Sequence, residues 1–183
     1  MLTITIPASY DLYDEVKEEF VCAPEVTVDL EHSLISVSKW EAKYKKPYLS
    51  SDKTPEENFE YIKMMSLTEG VTDDQWRSLT ADNIKAINEY INDKQTATII
   101  SKDQQGKSSR EIVTSELIYC WMVLQQIPFE CEYWHLNRLL TLINVVSIKN
   151  QPPKKTSQAD AVSRHRAIKQ AHRANKKSHV PRH

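Results

Sequence analysis

Glycine occurs only twice in this 183-residue chain, at Gly70 and Gly106. All-β sandwiches and barrels turn roughly every 8–12 residues and need glycine-type freedom to do so. Phosphate-cradling loops need several glycines within a few positions. Both are excluded at the outset. A hydrophobic content of 40% with four tryptophans still supplies a packed core. These limits point to an α+β fold, mainly helical.

Residues 2–6 (Leu-Thr-Ile-Thr-Ile) alternate apolar and polar and predict a strand stopped by Pro7. Val26, Val28 and Leu30 predict a second strand, and Phe20–Cys22 a short one able to pair between them. Such a sheet is too small to stand alone and must pack on helices. From Ser33 the period becomes helical: Leu34, Val37, Trp40 and Tyr44 share a face that ends at Lys45-Lys46-Pro47. Thr54-Pro55-Glu56-Glu57 has the cap, N1 proline and N3 glutamate of a helix start that would bury Phe59, Ile62 and Met65. Thr72–Gln75 opens a short helix through Trp76 and Leu79, and Thr80 or Asp82 one that buries Ile84, Ile87 and Ile91. Residues 96–101 predict a strand, and 102–109 a polar loop. A capping box at Ser108–Glu111 precedes the apolar stretch Ile112–Ile127. Pro128 separates that stretch from an apolar helix over 130–148. The expected architecture is a small N-terminal β-sheet on a helical core with a central antiparallel helix hairpin.

Charge divides the chain sharply. Residues 149–183 hold ten basic groups (Lys149, Lys154, Lys155, Arg164, Arg166, Lys169, Arg173, Lys176, Lys177 and Arg182) and one acid, Asp160, a net +9. The preceding 148 residues hold 14 basic and 24 acidic groups, a net −10. With Pro152-Pro153 as a hinge, the expected division is a body over 1–148 and a basic, flexible or helical extension over 149–183. The extension has too few large apolar groups to fold alone. Its cations suit nucleic acid, or an acidic protein surface such as the body of a neighbouring copy. The absence of aromatics there argues against base stacking. The N-terminus lacks the pattern of a signal peptide, and no apolar run spans a bilayer, so no membrane partner is expected. Cys22, Cys120 and Cys131 form no disulfide framework and read as reduced thiols in a cytosol.

Catalytic constellations are not visible. Cys131 and His135 stand four apart on an expected helix, but tetrahedral zinc wants four ligands in paired short spacings. A cysteine nucleophile would need an oxyanion hole that nothing marks. The carboxylate pairs Glu18/Glu19, Glu56/Glu57 and Asp73/Asp74 suit helix starts and exposed faces. No metal, cofactor or enzyme activity is expected. Trp134, His135, Asn137 and Arg138 form a mixed aromatic, amide and guanidinium run, in which Arg138 can stack on Trp134. That run reads as a network locking the helix start or as a partner contact. With Trp40 it makes up the candidate binding surface of the body, and the cations from Lys149 to Lys177 make up that of the extension.

Three strings are distinctive: Leu30–Glu41 (LEHSLISVSKWE), Ile127–Leu142 (IPFECEYWHLNRLLTL) and Ile148–Lys155 (IKNQPPKK), together with the Ser109-Arg110-Glu111-Ile112 start. They resemble a family from the structural-gene blocks of tailed bacteriophages with long flexible tails, whose members are labelled tail assembly chaperones. The resemblance covers essentially the whole chain. It implies a non-enzymatic factor in the host cytoplasm, with a mostly helical body and a C-terminal extension. Its implied partners are the tape measure protein and the tail tube protein, with self-association also in scope. The alternative is a structural virion protein, a head–tail connector or tail component, whose basic arm contacts neighbouring subunits or DNA.

Overall fold

A computed structural model describes residues 1–14, 18–100, 111–151, 166 and 169, with the backbone alone at 10–14 and 19–21. The chain divides into two units, Met1–Lys149 and Asn150–His183, and the fold below is that of the first. It is α+β and mainly helical, as the patterning predicts.

Strands β1 (Leu2–Ile6) and β4 (Val26–Leu30) pair antiparallel, with Ile4 opposite Val28. Their alternation sends Ile4, Ile6, Val28 and Leu30 into the core, while Thr3 on the other face donates to Asp29 at 2.6 Å. The outer edge of β4 is covered by the segment after the second helix. There Leu67 N–H donates to the Asp29 carbonyl (2.8 Å) and Glu31 N–H to that of Met65 (2.9 Å). The expected third strand exists but lies elsewhere: β3 (Glu19–Ala23) pairs with β2 (Ser9–Asp14) as a separate hairpin carrying a register shift between Ser9 and Leu12.

Helix α1 (Leu34–Tyr44) is the hub of the body, and α2, α5 and a 3-10 turn all pack on it. The helices α2 (Pro55–Met64), α3 (Asp73–Arg77) and α4 (Ala81–Asn92) each begin with a threonine whose hydroxyl accepts the N3 amide. In each the N3 side chain (Glu57, Gln75, Asn83) bonds back to the cap. Two of these side chains also reach outward. Gln75 Nε2 donates to the Pro24 carbonyl at 3.2 Å and Asn83 Nδ2 to that of Thr5 at 3.2 Å, tying α3 and α4 to the strands.

The second half departs from the sequence reading in three places. Residues 96–100 are not a strand; no strand among the described residues lies beside them, and Thr98 N–H is taken by the Thr96 hydroxyl at 3.1 Å. Helix α5 spans Ser115–Leu124 with Thr114 as its cap, so it starts later than a Ser108 box would place it; Ser108 itself is outside the described residues. The helix expected over 130–148 is instead a 3-10 turn (Phe129–Tyr133) followed by α6 (Leu136–Asn150). The break arises because Trp134 is extended and His135 bridges to Ser33, with Leu136 N–H donating to the His32 carbonyl at 2.7 Å. Helices α5 and α6 both bury residues in the one core, but α5 packs most closely on α1.

A buried carboxyl group joins these elements. Glu41, on the inward face of α1 and buried, accepts from Tyr48 N–H with Oε1 and from Ser115 N–H with Oε2, both at 2.7 Å. One carboxylate thereby fixes the turn after α1 and the first residue of α5. At the other end of α5, Gln126 lies in the left-handed region (φ 55°), with Gln126 N–H bonded to Val123 O (3.2 Å) and Ile127 N–H to Met122 O (2.8 Å). This is a Schellman ending built without glycine.

Removing the Glu41 carboxylate strands two buried amides. Glu41→Ala is expected to lower unfolding free energy by about 3 kcal/mol in urea titrations, with Glu41→Gln intermediate because one carbonyl acceptor survives. Gln126→Gly removes the Cβ penalty of a left-handed residue and is expected to add about 1 kcal/mol in the same assay.

Candidate functional site

The residues singled out in the sequence fall into two groups. Trp40 is fully buried; its Nε1 donates to the Glu57 carbonyl at 3.0 Å, which binds α1 to the first turn of α2, and its ring meets Tyr48 edge-on. It is a core residue. The 134–138 run clamps α6 to its neighbours. Asn137 Nδ2 donates to the carbonyls of Ile91 (3.1 Å) and Asp93 (2.8 Å), closing the C-terminal end of α4. The Arg138 guanidinium lies 4.3 Å from the Trp134 ring centre, the stack that their spacing predicts. In the extension, Lys149 is exposed at the end of α6, and Arg166 and Lys169 are helical and exposed. Lys154, Lys155, Arg164, Arg173, Lys176, Lys177 and Arg182 lie outside the described residues.

His135 belongs to a buried polar seam between the β4–α1 turn and the start of α6. Its Nδ1 accepts Asn137 N–H (3.3 Å), which leaves Nε2 to carry the proton and donate to the Tyr90 carbonyl (3.0 Å). His32 packs edge-on against it, with ring centres 5.1 Å apart, and bonds through Nδ1 to the Tyr61 hydroxyl. Tyr48 lies over Tyr61 at 4.2 Å, with the Lys53 ammonium 4.2 Å from the Tyr48 ring centre. Below the histidines, Glu31 accepts Tyr90 Oη (2.6 Å) and pairs with the Met1 ammonium (2.7 Å). Burial, and secondarily the electrostatic influence of His135, hold His32 down to about 3. Burial likewise raises the phenols of Tyr48 and Tyr61.

Cys131 and His135 do not share a helix face, because Cys131 is in the 3-10 turn. Burial raises the Cys131 thiol. Among the described residues no three His, Cys, Asp or Glu side chains gather as a metal site would require. The seam acts as a lock: its polar atoms point at one another and at backbone groups.

The surface feature that residue-by-residue reading missed is a ridge on α5 and the 3-10 turn. Val123 (59% exposed), Leu124 (74%), Phe129 (54%) and Tyr133 (61%) are left exposed on these two elements, as is Cys120. The turn is held against α5 by Tyr119, whose ring lies 6.2 Å from Phe129 and whose hydroxyl donates to Glu132 at 2.7 Å. The signal available in the sequence was the width of the apolar face of α5. Leu117, Ile118, Trp121, Met122, Val123 and Leu124 cover more of the helix than one contact with α1 can bury. A second feature is the irregular stretch 94–100. Between it and α6 lies an open groove of about 460 Å³, lined by Lys94, Thr98, Ile100, Asn137, Leu140 and Asn144, with Ile99 exposed.

No protein family, curated protein or solved structure was found to match this chain.

The seam predicts an acid response. His32 is neutral when folded but takes a proton near pH 6.5 when unfolded, so its contribution to stability is complete above that value and falls as pH drops towards 3. Carboxylates titrate lower, near 4. Denaturation between about pH 7 and about pH 5 is therefore expected to show stability falling with a slope approaching 1.4 kcal/mol per pH unit. His32→Gln should be less stable at neutral pH and show a flatter slope; an unchanged slope would clear His32 of the effect.

Proposed function

We propose that this protein is a non-enzymatic assembly factor of a long-tailed bacteriophage, a tail assembly chaperone that holds the tape measure protein and helps bring tail tube subunits to it. The observation that carries this reading is the α5 ridge, an apolar helix face left open on an acidic body. Monomeric proteins rarely expose contiguous apolar side chains without a binding role. The basic extension adds a second contact of opposite sign. Two weak attachments on one chain hold a long partner through effective concentration and release it one contact at a time.

The resemblance in Leu30–Glu41 and Ile127–Leu142 supports the same reading. These strings contain Glu31, His32, Trp40, Glu41, His135 and Asn137, the residues that fasten the body. A protein sharing them would share the fold. The charge division favours a second reading: a structural virion protein whose +9 extension lies against the −10 body of the next subunit, or against DNA.

Mass spectrometry of purified virions beside infected-cell lysate separates the two. For the chaperone, the protein is expected to be abundant in lysate and missing from particles, and to raise the soluble yield of co-expressed tape measure protein. A fixed copy number in particles would make it a virion component instead.

A further inference from the structure

We infer that the α5 ridge is a docking face for an amphipathic helix with basic flanks, supplied by another protein. The inference rests on the assembly-factor reading for the partner being a separate chain; the chemistry of that partner comes from the ridge. Cys120, Val123 and Leu124 lie at helical spacing on the open side of α5, Phe129 extends the face onto the 3-10 turn through its contact with Tyr119, and Tyr133 is exposed on the same turn. The ring contact and hydroxyl bond of Tyr119 make the two elements one rigid surface. Its single turn of projecting apolar side chains, with an aromatic shelf at one end, matches a short row of apolar positions on a packed helix.

Charge selects among the occupants. From Ser115 to Tyr133 the chain contains no Lys or Arg and three glutamates, Glu116, Glu130 and Glu132. Glu116 and Glu130 are exposed, while Glu132 is half-buried and holds Tyr119. An anionic lipid surface would be repelled by such a rim. A second copy joined through the same face about a two-fold axis would set glutamates against glutamates. A helix with Lys or Arg beside its apolar row meets both the ridge and the rim, and its charges speed the encounter.

The test uses the full chain and two labelled synthetic peptides of one helical pattern, one built from Leu and Lys and the other from Leu and Glu. In fluorescence anisotropy the Leu/Lys peptide is expected to bind saturably and the Leu/Glu peptide not at all. Replacing both Val123→Ser and Leu124→Ser should weaken Leu/Lys binding about tenfold without adding charge. Glu116→Gln with Glu130→Gln should weaken it severalfold and reduce its salt dependence. These positions are exposed, so the variants should melt like the parent. Equal binding by the serine variant would mean that the peptide reads only the acidity of the body, and would overturn the inference. So would equal binding of the Leu/Glu peptide, or a ridge-dependent dimer in sedimentation. A protein found in virions that passes the peptide test would sink the chaperone reading and leave the docking face standing.

Discussion

The body depends on one buried carboxylate. Glu41 sits where α1 meets both the turn at Tyr48 and the start of α5, and each of its oxygens takes one backbone amide. Burying an ionised carboxylate is unfavourable unless donors surround it. Here one donor is at the first turn of a helix, where the backbone dipole favours negative charge. Because α1 also receives α2 through the Trp40–Glu57 bond, Trp40 and Glu41 organise three of the six α-helices among the described residues. Glu57 repeats the economy. Its side chain caps Thr54 and pairs with Lys46, while its carbonyl receives the indole.

The local parts of this arrangement were legible and the long-range parts were not. The helix starts at Thr54 and Thr72 are written within four residues, so they can be read directly and occur as read, and of the two caps open at Thr80 and Asp82 the structure takes Thr80. The alternation in 2–6 and 26–30 gave the strands. The role of Glu41 depends on Ser115, 74 residues away, and no local pattern encodes it. One trace existed: Glu41 is seven residues beyond Leu34 and four beyond Val37, so it falls on the apolar face of α1. A charge at such a position is either an error of phase or a buried anchor. The position of Trp40 on a helical face allows both a core role and a surface contact, and burial decides for core. Residues 96–100 pattern as a strand but are not one, because β-branched residues favour a strand only where an edge is there to pair with, and no strand among the described residues offers one.

The scarcity of glycine has a structural counterpart. Besides Gly70, four described residues hold positive φ, namely Glu18, Lys45, Gln95 and Gln126, and all have polar side chains. Lys45 and Gln126 end helices, and in both the tertiary structure holds the strained residue in place: Lys45 is followed within three residues by the Tyr48–Glu41 bond, and Gln126 by buried Ile127. The strain of such residues is local, about 1–2 kcal/mol each, and is offset by the contacts that flank it. A chain built this way relies on packing rather than on flexible punctuation to make its corners.

That reliance bears on how the ridge is presented. In the run Ile127–Tyr133, buried Ile127 and Cys131 alternate with exposed Phe129 and Tyr133. The inward pair is anchored by the Schellman ending of α5 and by the core, so the backbone that carries the outward pair is held in place. Covering these side chains therefore orders rotamers but not backbone, and a helix laid across them would gain more from each buried apolar group than it would on a loose loop. The same rigidity limits the face to partners of complementary shape. The acidic rim then narrows that set by charge, since a glutamate beside an apolar contact penalises a like-charged flank more strongly as water is excluded. Affinity on such a surface comes from the apolar row and discrimination from the rim, and the two can change independently by substitution at different positions of the same short segment.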